Sequence, residues 1–204
     1  MTIYALKPRF QSLLRPAVRR LASAGATANQ VTLAGAIGSV LVALIIIWAA
    51  EARWVFLLLP LWFVLRMGLN AIDGMLAREF GQESPLGAYL NEICDVVSDA
   101  ALYAPIAMVE PFGPVGIAVV VSLSSLTEFA GVLGPMVGAS RRYDGPLGKS
   151  DRALLFGVLG FWIGIGMPLP AWLGFIVPLV AILLAVTTVN RIRAGLREIE
   201  EKTC

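Results

Sequence analysis

Long apolar runs dominate the chain, and short polar segments separate them. The run from Val31 to Ala50 holds twenty residues without a charged side chain, which is enough for a helix to cross a hydrocarbon core of roughly 30 Å. Further apolar runs follow it along the sequence. The pattern therefore predicts six membrane spans, which cover residues 30–50, 54–79, 84–108, 112–137, 152–167 and 171–192.

The segment before the first span, residues 1–22, has a different pattern. Its apolar residues recur at helical spacing, and basic residues fill most of the other positions. The apolar set is Leu6, Phe10, Leu13, Leu14, Val18 and Leu21. This periodicity predicts an amphipathic helix that lies in the membrane surface and bends at Pro16, with a disordered basic tail as the alternative. The predicted fold class is an all-α membrane protein, with a surface helix over 1–22 and a six-helix transmembrane domain over 23–204.

Composition agrees with this fold class and limits the chemistry. Hydrophobic residues make up 58% of the chain and charged residues 15%, and the mean hydropathy is +0.80, which is typical of a polytopic membrane protein. The chain contains no histidine, so Ser-His-Asp hydrolysis and histidine-ligated zinc are excluded. Its two cysteines, Cys94 and Cys204, indicate neither a disulfide nor a metal cluster. Any catalysis must use carboxylates, amides, arginine, lysine and an added metal ion.

Basic residues outside the spans fall on one side of the predicted membrane. They lie in the N-terminal helix, the 78–84 and 139–152 loops and the C-terminal end, whereas Arg53 is alone on the opposite side. Cytoplasmic loops of membrane proteins carry the excess of Lys and Arg. Both termini and the 139–152 loop are therefore predicted to be cytoplasmic.

Several charged residues lie within the spans, where each costs roughly 2.5–3.5 kcal/mol on insertion scales. They are Arg66, Asp73, Glu92, Asp95, Asp99 and Glu128. At 100° per residue, the polar and small residues of the second span share an arc of roughly 100°, and those of the third span an arc of about 140°. Two such faces predict a polar cavity between the second and third spans. Its oxygen ligands suit a hard divalent ion, and its small residues leave room for a nucleotide. Arg78 is placed to bind phosphate.

The stretch NAIDGMLAREFGQESPLGAYLNEICD, residues 70–95, carries a specific motif. It keeps every interval of D-x2-D-G-x2-A-R-x8-G-x3-D-x3-D and six of its eight residue types, with Asn70 and Asn91 in place of two aspartates. The motif resembles that of the CDP-alcohol phosphotransferases, which include the CDP-diacylglycerol enzymes of phospholipid synthesis. The phrase TANQVT at 27–32 is also similar to the TPNxxT that opens the first span in that family.

This resemblance implies a reaction in which an acceptor hydroxyl attacks the β-phosphorus of a CDP-alcohol and CMP leaves. It implies two Mg²⁺ or Mn²⁺ ions on Asn70, Asp73, Asn91 and Asp95, with Asp95 as the catalytic base. It also implies that the CDP group is contacted by Gly74, Ala77, Arg78 and Gly87. The expected partners are CDP-diacylglycerol, a small polar acceptor alcohol, membrane lipid and a second copy in a homodimer, with no nucleic acid. The expected location is the bacterial inner membrane, with the active site facing the cytoplasm.

The two asparagines raise the question of how the site holds metal. Asparagine keeps a carbonyl oxygen but loses a negative charge. Glu92 lies about 1.5 Å along the helix axis from Asn91, so we expect it to be the replacement ligand, whereas Asp99 lies roughly 12 Å further along. Asp99 is expected to close the cavity or support the ligands, with a plain contact between helices as the alternative.

Other charged residues have two interpretations each. Arg66 is expected either to pair with Glu128 or to reach the nucleotide site. Arg141, Lys149 and Arg152 are expected to bind a phosphate on the acceptor, or else only to set the topology. For the whole chain, the alternatives to an active transferase are a catalytically inactive homologue that binds a nucleotide lipid or a partner protein, and an unrelated small transporter.

Overall fold

The structure is a computed structural model that describes residues 6–203, and all of its regular elements are helical. The predicted surface helix and the C-terminal end extend beyond this range at residues 1–5 and 204. The seven α-helices are α1 Leu6–Ser23, α2 Ala28–Trp48, α3 Leu58–Glu79, α4 Pro85–Tyr103, α5 Pro114–Leu133, α6 Lys149–Gly164 and α7 Ile176–Thr203. Short 3₁₀ turns at Arg53–Leu57, Ala104–Met108, Gly134–Val137 and Ala171–Phe175 extend several of them.

Each of the six predicted spans coincides with one helical segment, but their membrane character differs. Four segments are long and apolar enough to cross a membrane, namely Ala28–Trp48, Arg53–Glu79, Pro114–Val137 and Ala171–Lys202. Of the other two, α4 carries three acidic residues and α6 has only 16 residues. The all-helical fold is therefore confirmed, and the crossing of the membrane by α4 and α6 stays a prediction.

The first helix packs on the bundle. It runs from Leu6 to Ser23 and contains Pro16. Val18 is completely buried in a cluster with apolar residues of α2 and α3, including Met75 and Leu76. Arg15, three residues before Val18, pairs with Glu79 of α3 at 2.9 Å. The amphipathic pattern is thus used to dock α1, and its place in a membrane surface stays a prediction.

Local sequence signals set the start of α2. The chain leaves α1 at Gly25, whose φ of 78° favours glycine. Thr27 then caps α2 through a hydrogen bond from the Gln30 amide, and the Gln30 side chain accepts from the Thr27 amide. Gln82, in the loop before α4, accepts from the Ala28 amide at 2.7 Å. These contacts hold the first turn of α2 beside the loop that joins α3 and α4, the two helices that carry the motif.

Apolar packing holds the remaining helices together. Helix α2 packs against α3 and α4, α5 against α7, and α3 against α6. The centre of the core is formed by completely buried side chains such as Leu59, Leu102 and Leu184. Close contact between α6 and the start of α3 depends on Gly160, where a Cβ would lie 2.7 Å from Cβ of Leu59 and 3.1 Å from the carbonyl oxygen of Phe56.

The loop between α5 and α6 is fixed by ion pairs. Arg142 contacts Asp144 at 2.9 Å and Glu198 of α7 at 2.7 Å. The hydrogen bonds from Arg142 lower the pKa of the Asp144 carboxyl below its usual range. This loop therefore holds a defined position over the end of the bundle, and it presents Arg141 to the neighbouring cavity.

Replacing Gly160 with alanine tests the close packing of α6. We expect Gly160→Ala to destabilise the protein by about 1–3 kcal/mol, because the new methyl group overpacks a contact with no free space. The matched control is Gly68→Ala on α3, where a Cβ would meet nothing within 4 Å and a helix former replaces glycine. Thermal unfolding of the purified protein in detergent micelles measures both; equal unfolding midpoints for the two variants would contradict the packing.

Candidate functional site

A cavity of about 350 Å³ opens between the first turns of α2 and α4 and the second half of α3. Its walls carry the glycines and alanines that the motif predicts at this site, together with polar side chains from three helices. The lining residues are Ala28, Asn29, Thr32, Asp73, Gly74, Ala77, Arg78, Gln82, Glu83, Ser84, Gly87, Ala88, Asn91, Glu92 and Arg141. The structure thus brings the four predicted CDP-contacting residues onto one cavity.

Polar side chains occupy the space beside the two motif glycines, Gly74 and Gly87. A Cβ at Gly87 would lie 2.8 Å from Oδ1 of Asn29 and 3.1 Å from Oγ of Ser84, which caps α4. A Cβ at Gly74 would lie 2.8 Å from the guanidinium of Arg78. Side chains at these positions would therefore displace groups that face the cavity.

The sequence prediction missed Asn29, Thr32 and Gln82 as lining residues. The TANQVT phrase was the available signal for the first two, since they lie within it. Thr32 donates to Oδ2 of Asp73 at 2.8 Å, so the start of α2 orients the first motif carboxylate. Asn91 lies on the same cavity. Asp73 and Asn91 are therefore the two motif residues whose side-chain oxygens could bind a metal ion in this cavity.

Glu92 is also on this cavity, where Arg141 binds it. Both terminal guanidinium nitrogens of Arg141, Nη1 and Nη2, contact the carboxylate, with Nη2 at 2.8 Å from Oε2. The sequence prediction placed Glu92 on a metal ion and Arg141 on an acceptor phosphate. In the structure the two side chains neutralise each other, a pairing that helical geometry did not suggest because Arg141 comes from a distant loop.

A second cavity of about 560 Å³ lies between α3 and α6. Apolar residues such as Phe63, Leu154 and Phe161 form most of its wall. At one end the wall becomes polar, with Arg66, Asn70, Lys149 and Ser150. The motif is therefore divided: Asn70 faces this apolar cavity, and Asp73 and Asn91 face the smaller polar one.

Asp95 is held by cations on both of its oxygens. Lys149 forms an ion pair with Oδ2, and Arg66 donates to Oδ1 at 3.2 Å and to the Asp95 carbonyl at 3.1 Å. The Asn70 amide nitrogen lies 3.3 Å from Oδ1. Asn70 and Asp95 thus meet across α3 and α4, together with two cations that the motif alone did not predict.

Behind Asp95, a buried ion network crosses the bundle. Arg66 binds Asp99 at 2.6 Å, and Arg152 binds Asp99 at 3.1 Å and Glu128 at 2.8 Å. Arg191 of α7 reaches Glu128 at 3.2 Å. The predicted pair of Arg66 with Glu128 is wrong, since Arg152 and Arg191 occupy Glu128. Asp99 supports the site through Arg66, as one of the sequence interpretations expected.

The structure corrects the expectation that Arg152 binds substrate. Its side chain has 0% exposure, and its guanidinium is used by Asp99, Glu128 and Thr127. Lys149, one turn earlier on α6, is 30% exposed and lines the α3–α6 cavity. Of the three basic residues predicted to meet an acceptor phosphate, Arg141 and Lys149 therefore face cavities and Arg152 belongs to the core.

The oxygen donors fit one divalent ion better than two. Within residues 6–203, no three Asp, Glu or Cys side chains converge as a metal-binding group. Asp73 and Asn91 share the polar cavity, and Mg²⁺ commonly binds through one or two protein oxygens while water and substrate phosphate complete its shell. Asp95 and Glu92 are instead neutralised by Lys149, Arg66 and Arg141.

Comparison with known proteins agrees with this site. The sequence profile described as CDP-alcohol phosphatidyltransferase matches residues 26–189, and the chain therefore belongs to this family. The "Inner membrane protein YnbA" of Escherichia coli (strain K12) is 44% identical over 196 residues, which are 96% of this chain and 97% of that protein. Together with the apolar helices, this relationship indicates a multi-pass inner membrane protein.

More distant relatives have named activities. A phosphatidylinositol phosphate synthase of Mycolicibacterium smegmatis is 26% identical over 91% of this chain and 84% of its own length. The Mycobacterium tuberculosis phosphatidylinositol phosphate synthase with CDP-DAG bound superposes with a TM-score of 0.70 at 23% identity, over 88% of this chain and 92% of that chain. Its complex with manganese and citrate gives a TM-score of 0.72 at 22% identity, over 89% and 88%. These two structures share the fold.

Removing Glu128 tests the buried network. We expect Glu128→Ala to destabilise the protein by about 3–5 kcal/mol, because Arg152 and Arg191 would lose a buried partner. The matched control is Glu79→Ala, which removes only the exposed pair with Arg15 and should cost about 0–1 kcal/mol. Denaturant unfolding in detergent micelles compares the two variants, and a smaller loss for Glu128→Ala than for Glu79→Ala would contradict the assignment.

Proposed function

We propose that this protein transfers a substituted phosphate group, of the phosphatidyl type, from a CDP-alcohol to an acceptor alcohol and releases CMP during phospholipid synthesis. The observation that carries this proposal is the single polar cavity onto which Asp73, Gly74, Ala77, Arg78 and Gly87 converge. These are motif residues of the family to which the chain belongs. The spacing preserved in the sequence thus corresponds to proximity in the fold.

The CDP group of the donor occupies this polar cavity in the proposal. Gly74, Ala77 and Gly87 leave backbone accessible to a flat base or ribose, and Arg78 meets the pyrophosphate. The neighbouring α3–α6 cavity, with its apolar wall, accepts a hydrocarbon chain of a lipid donor. CDP-diacylglycerol satisfies both requirements, and the mycobacterial structure neighbour contains CDP-DAG.

The residues that would hold a divalent ion are Asp73 and Asn91, with Asn70, Glu92 and Asp95 as the further predicted ligands. Such an ion, Mg²⁺ or Mn²⁺, neutralises charge on the pyrophosphate during transfer; a structure neighbour contains manganese. Arg78 binds and orients the donor from the cavity mouth. Apolar residues of the α3–α6 cavity keep water away from the reacting groups.

Asp95 is the proposed catalytic base. Its carboxylate contacts Asn70 and Lys149, and both of these residues line the α3–α6 cavity. The acceptor hydroxyl oxygen forms a bond with the β-phosphorus while the bond from that phosphorus to the CMP oxygen breaks. The hydroxyl proton passes to a carboxylate oxygen of Asp95. Arg66 and Asp99 hold the Asp95 side chain in place.

The acceptor is a small polar alcohol that approaches at the polar end of the α3–α6 cavity, where Lys149 lies, whereas the hydrocarbon chain occupies the apolar part of that cavity. Lys149 and Arg141 are the cavity-facing cations available for a phosphate on the acceptor. The mycobacterial relatives named as phosphatidylinositol phosphate synthases give one such class of product. Assembly as a homodimer is part of the proposal.

Asp95→Asn tests the catalytic role. We expect it to reduce CMP release from CDP-diacylglycerol by about 100-fold or more, because a general base contributes roughly 10²–10⁴-fold. The matched control is Asp144→Asn, which also loses an ion-paired carboxylate but lies outside both cavities, and it should retain the wild-type rate. The assay follows CMP from purified protein with Mg²⁺ or Mn²⁺, over acceptor alcohols with and without a phosphate group.

Two outcomes would count against this assignment. Wild-type turnover by a folded Asp95→Asn protein would remove Asp95 from the mechanism. Absence of CMP release from the wild-type protein with every acceptor would favour the inactive homologue that binds a nucleotide lipid, a reading to which the neutralised Asp95 and Glu92 also lend support. Thermal unfolding of each variant separates loss of chemistry from loss of fold.

The proposed orientation places the active site and both termini in the cytoplasm. In a chain without its native cysteines, Tyr143→Cys lies on the α5–α6 loop and Trp54→Cys at the opposite end of the bundle, and both native side chains are well exposed. A membrane-impermeant maleimide should label Trp54→Cys in intact cells and Tyr143→Cys only after lysis. Labelling of Tyr143→Cys in intact cells would reverse the topology.

A further inference from the structure

The charges around the motif balance without any metal ion. Six carboxylates surround the two cavities and the network behind them: Asp73, Glu83, Glu92, Asp95, Asp99 and Glu128. Six cations line the same cavities or share the network: Arg66, Arg78, Arg141, Lys149, Arg152 and Arg191. Aspartates at 70 and 91 would leave two unbalanced negative charges, which is the charge of one divalent ion.

The donor adds a further charge to this balance. A CDP-alcohol carries one negative charge on each phosphate of its pyrophosphate, so a single divalent ion neutralises it in a site that is otherwise balanced. With aspartates at 70 and 91, two ions would be needed for the same result. The two asparagines therefore reduce the number of divalent ions needed to neutralise the site from two to one.

The position of Lys149 indicates that the ion expected at Asp95 is the one that is missing. Its ammonium group pairs with Oδ2 of Asp95, and Arg66 and the Asn70 amide nitrogen take Oδ1. A metal ion bound to this carboxylate would lie directly beside two cations, and their repulsion opposes its binding. Asp73 and Asn91, by contrast, face the polar cavity without a cation bound to either in this structure.

The fold holds Lys149 in this position. It begins α6, where the Gly148 amide donates to Oδ2 of Asp151 at 2.9 Å and fixes the first turn. Arg152, less than one turn later, is completely buried against Asp99 and Glu128. The start of α6 is therefore anchored on both sides of Lys149, so its backbone is held where the ammonium group reaches Asp95.

We infer that Lys149, assisted by Arg66, takes the place of one of the two divalent ions, so that the site binds a single ion at Asp73 and Asn91. This inference rests on the proposed function. In the transfer reaction, the ammonium group of Lys149 supplies positive charge beside the β-phosphate as the bond to CMP breaks, and it forms no covalent bond itself. Lys149 thereby determines the metal requirement of the site.

Counting bound Mn²⁺ tests the inference without relying on turnover. Electron paramagnetic resonance of purified protein with added CDP should show one tightly bound Mn²⁺ per chain in the wild type. The variant Asn70→Asp/Asn91→Asp/Lys149→Met should bind two, with spin coupling between them. Asn70→Asp/Asn91→Asp, which keeps Lys149, should bind the second ion at least tenfold more weakly than the triple variant.

Lysine at position 202 provides the matched control. Lys202 also pairs with an acid, Glu198, but on the surface, so Asn70→Asp/Asn91→Asp/Lys202→Met should behave like the double variant. Lys149→Arg keeps the charge and should keep the count at one, which guards against a Lys149→Met protein that fails to fold. Two ions of equal affinity in the wild type, no bound ion, or equal second-ion affinity with and without Lys149 would each overturn the inference.

The ion count and the CMP assay fail separately. One ion in the wild type without CMP release would refute the proposed transferase and leave the role of Lys149 in ion binding supported. CMP release with two bound ions would support the transferase and refute the replacement of an ion by Lys149.

Discussion

The shared use of cations by buried carboxylates is the interaction on which the rest of the structure depends. Arg66 binds Asp95 and Asp99, Arg152 binds Asp99 and Glu128, and Arg191 completes the partners of Glu128. Removing a charge from water is expensive, and a buried pair is favourable only where geometry and further hydrogen bonds are good. Because each arginine here joins its own helix to one or two others, the network links five helices, α3 to α7.

The spans and the motif faces were accessible from the sequence because they follow from periodicity within a single helix. Apolar run length indicated each helix, and the 100° rotation per residue placed Asn70, Asp73, Asn91 and Asp95 on facing surfaces. The structure brings these residues to the same end of the bundle. Hydropathy alone could not decide the role of α4, since its acidic residues serve the site and lower its apolar character.

The pairing of charges was not accessible in the same way, because it depends on the distance between helices and on their relative height. The sequence offers Glu128 as a partner for Arg66, yet the nearest acid to Arg66 is Asp99 on the neighbouring helix. The sequence also groups Arg152 with the cations of the α5–α6 loop, whereas its side chain is buried in the core at the first turn of α6. Arg141 reaches Glu92 from a loop whose path periodicity does not describe.

These pairings also change how the two asparagines are understood. Two responses to the missing negative charge are possible. Another acid can replace it, which is the reason for assigning Glu92 as a ligand, or the site can bind fewer divalent ions. The second route fits the contacts, since Glu92 is neutralised by Arg141 and Asp95 by Lys149 and Arg66. Asp95 is linked through Arg66 to the network that holds the helices together. A change of charge at the motif therefore alters the electrostatic balance of the buried network. The asparagines at 70 and 91 must be considered together with the arginines behind them.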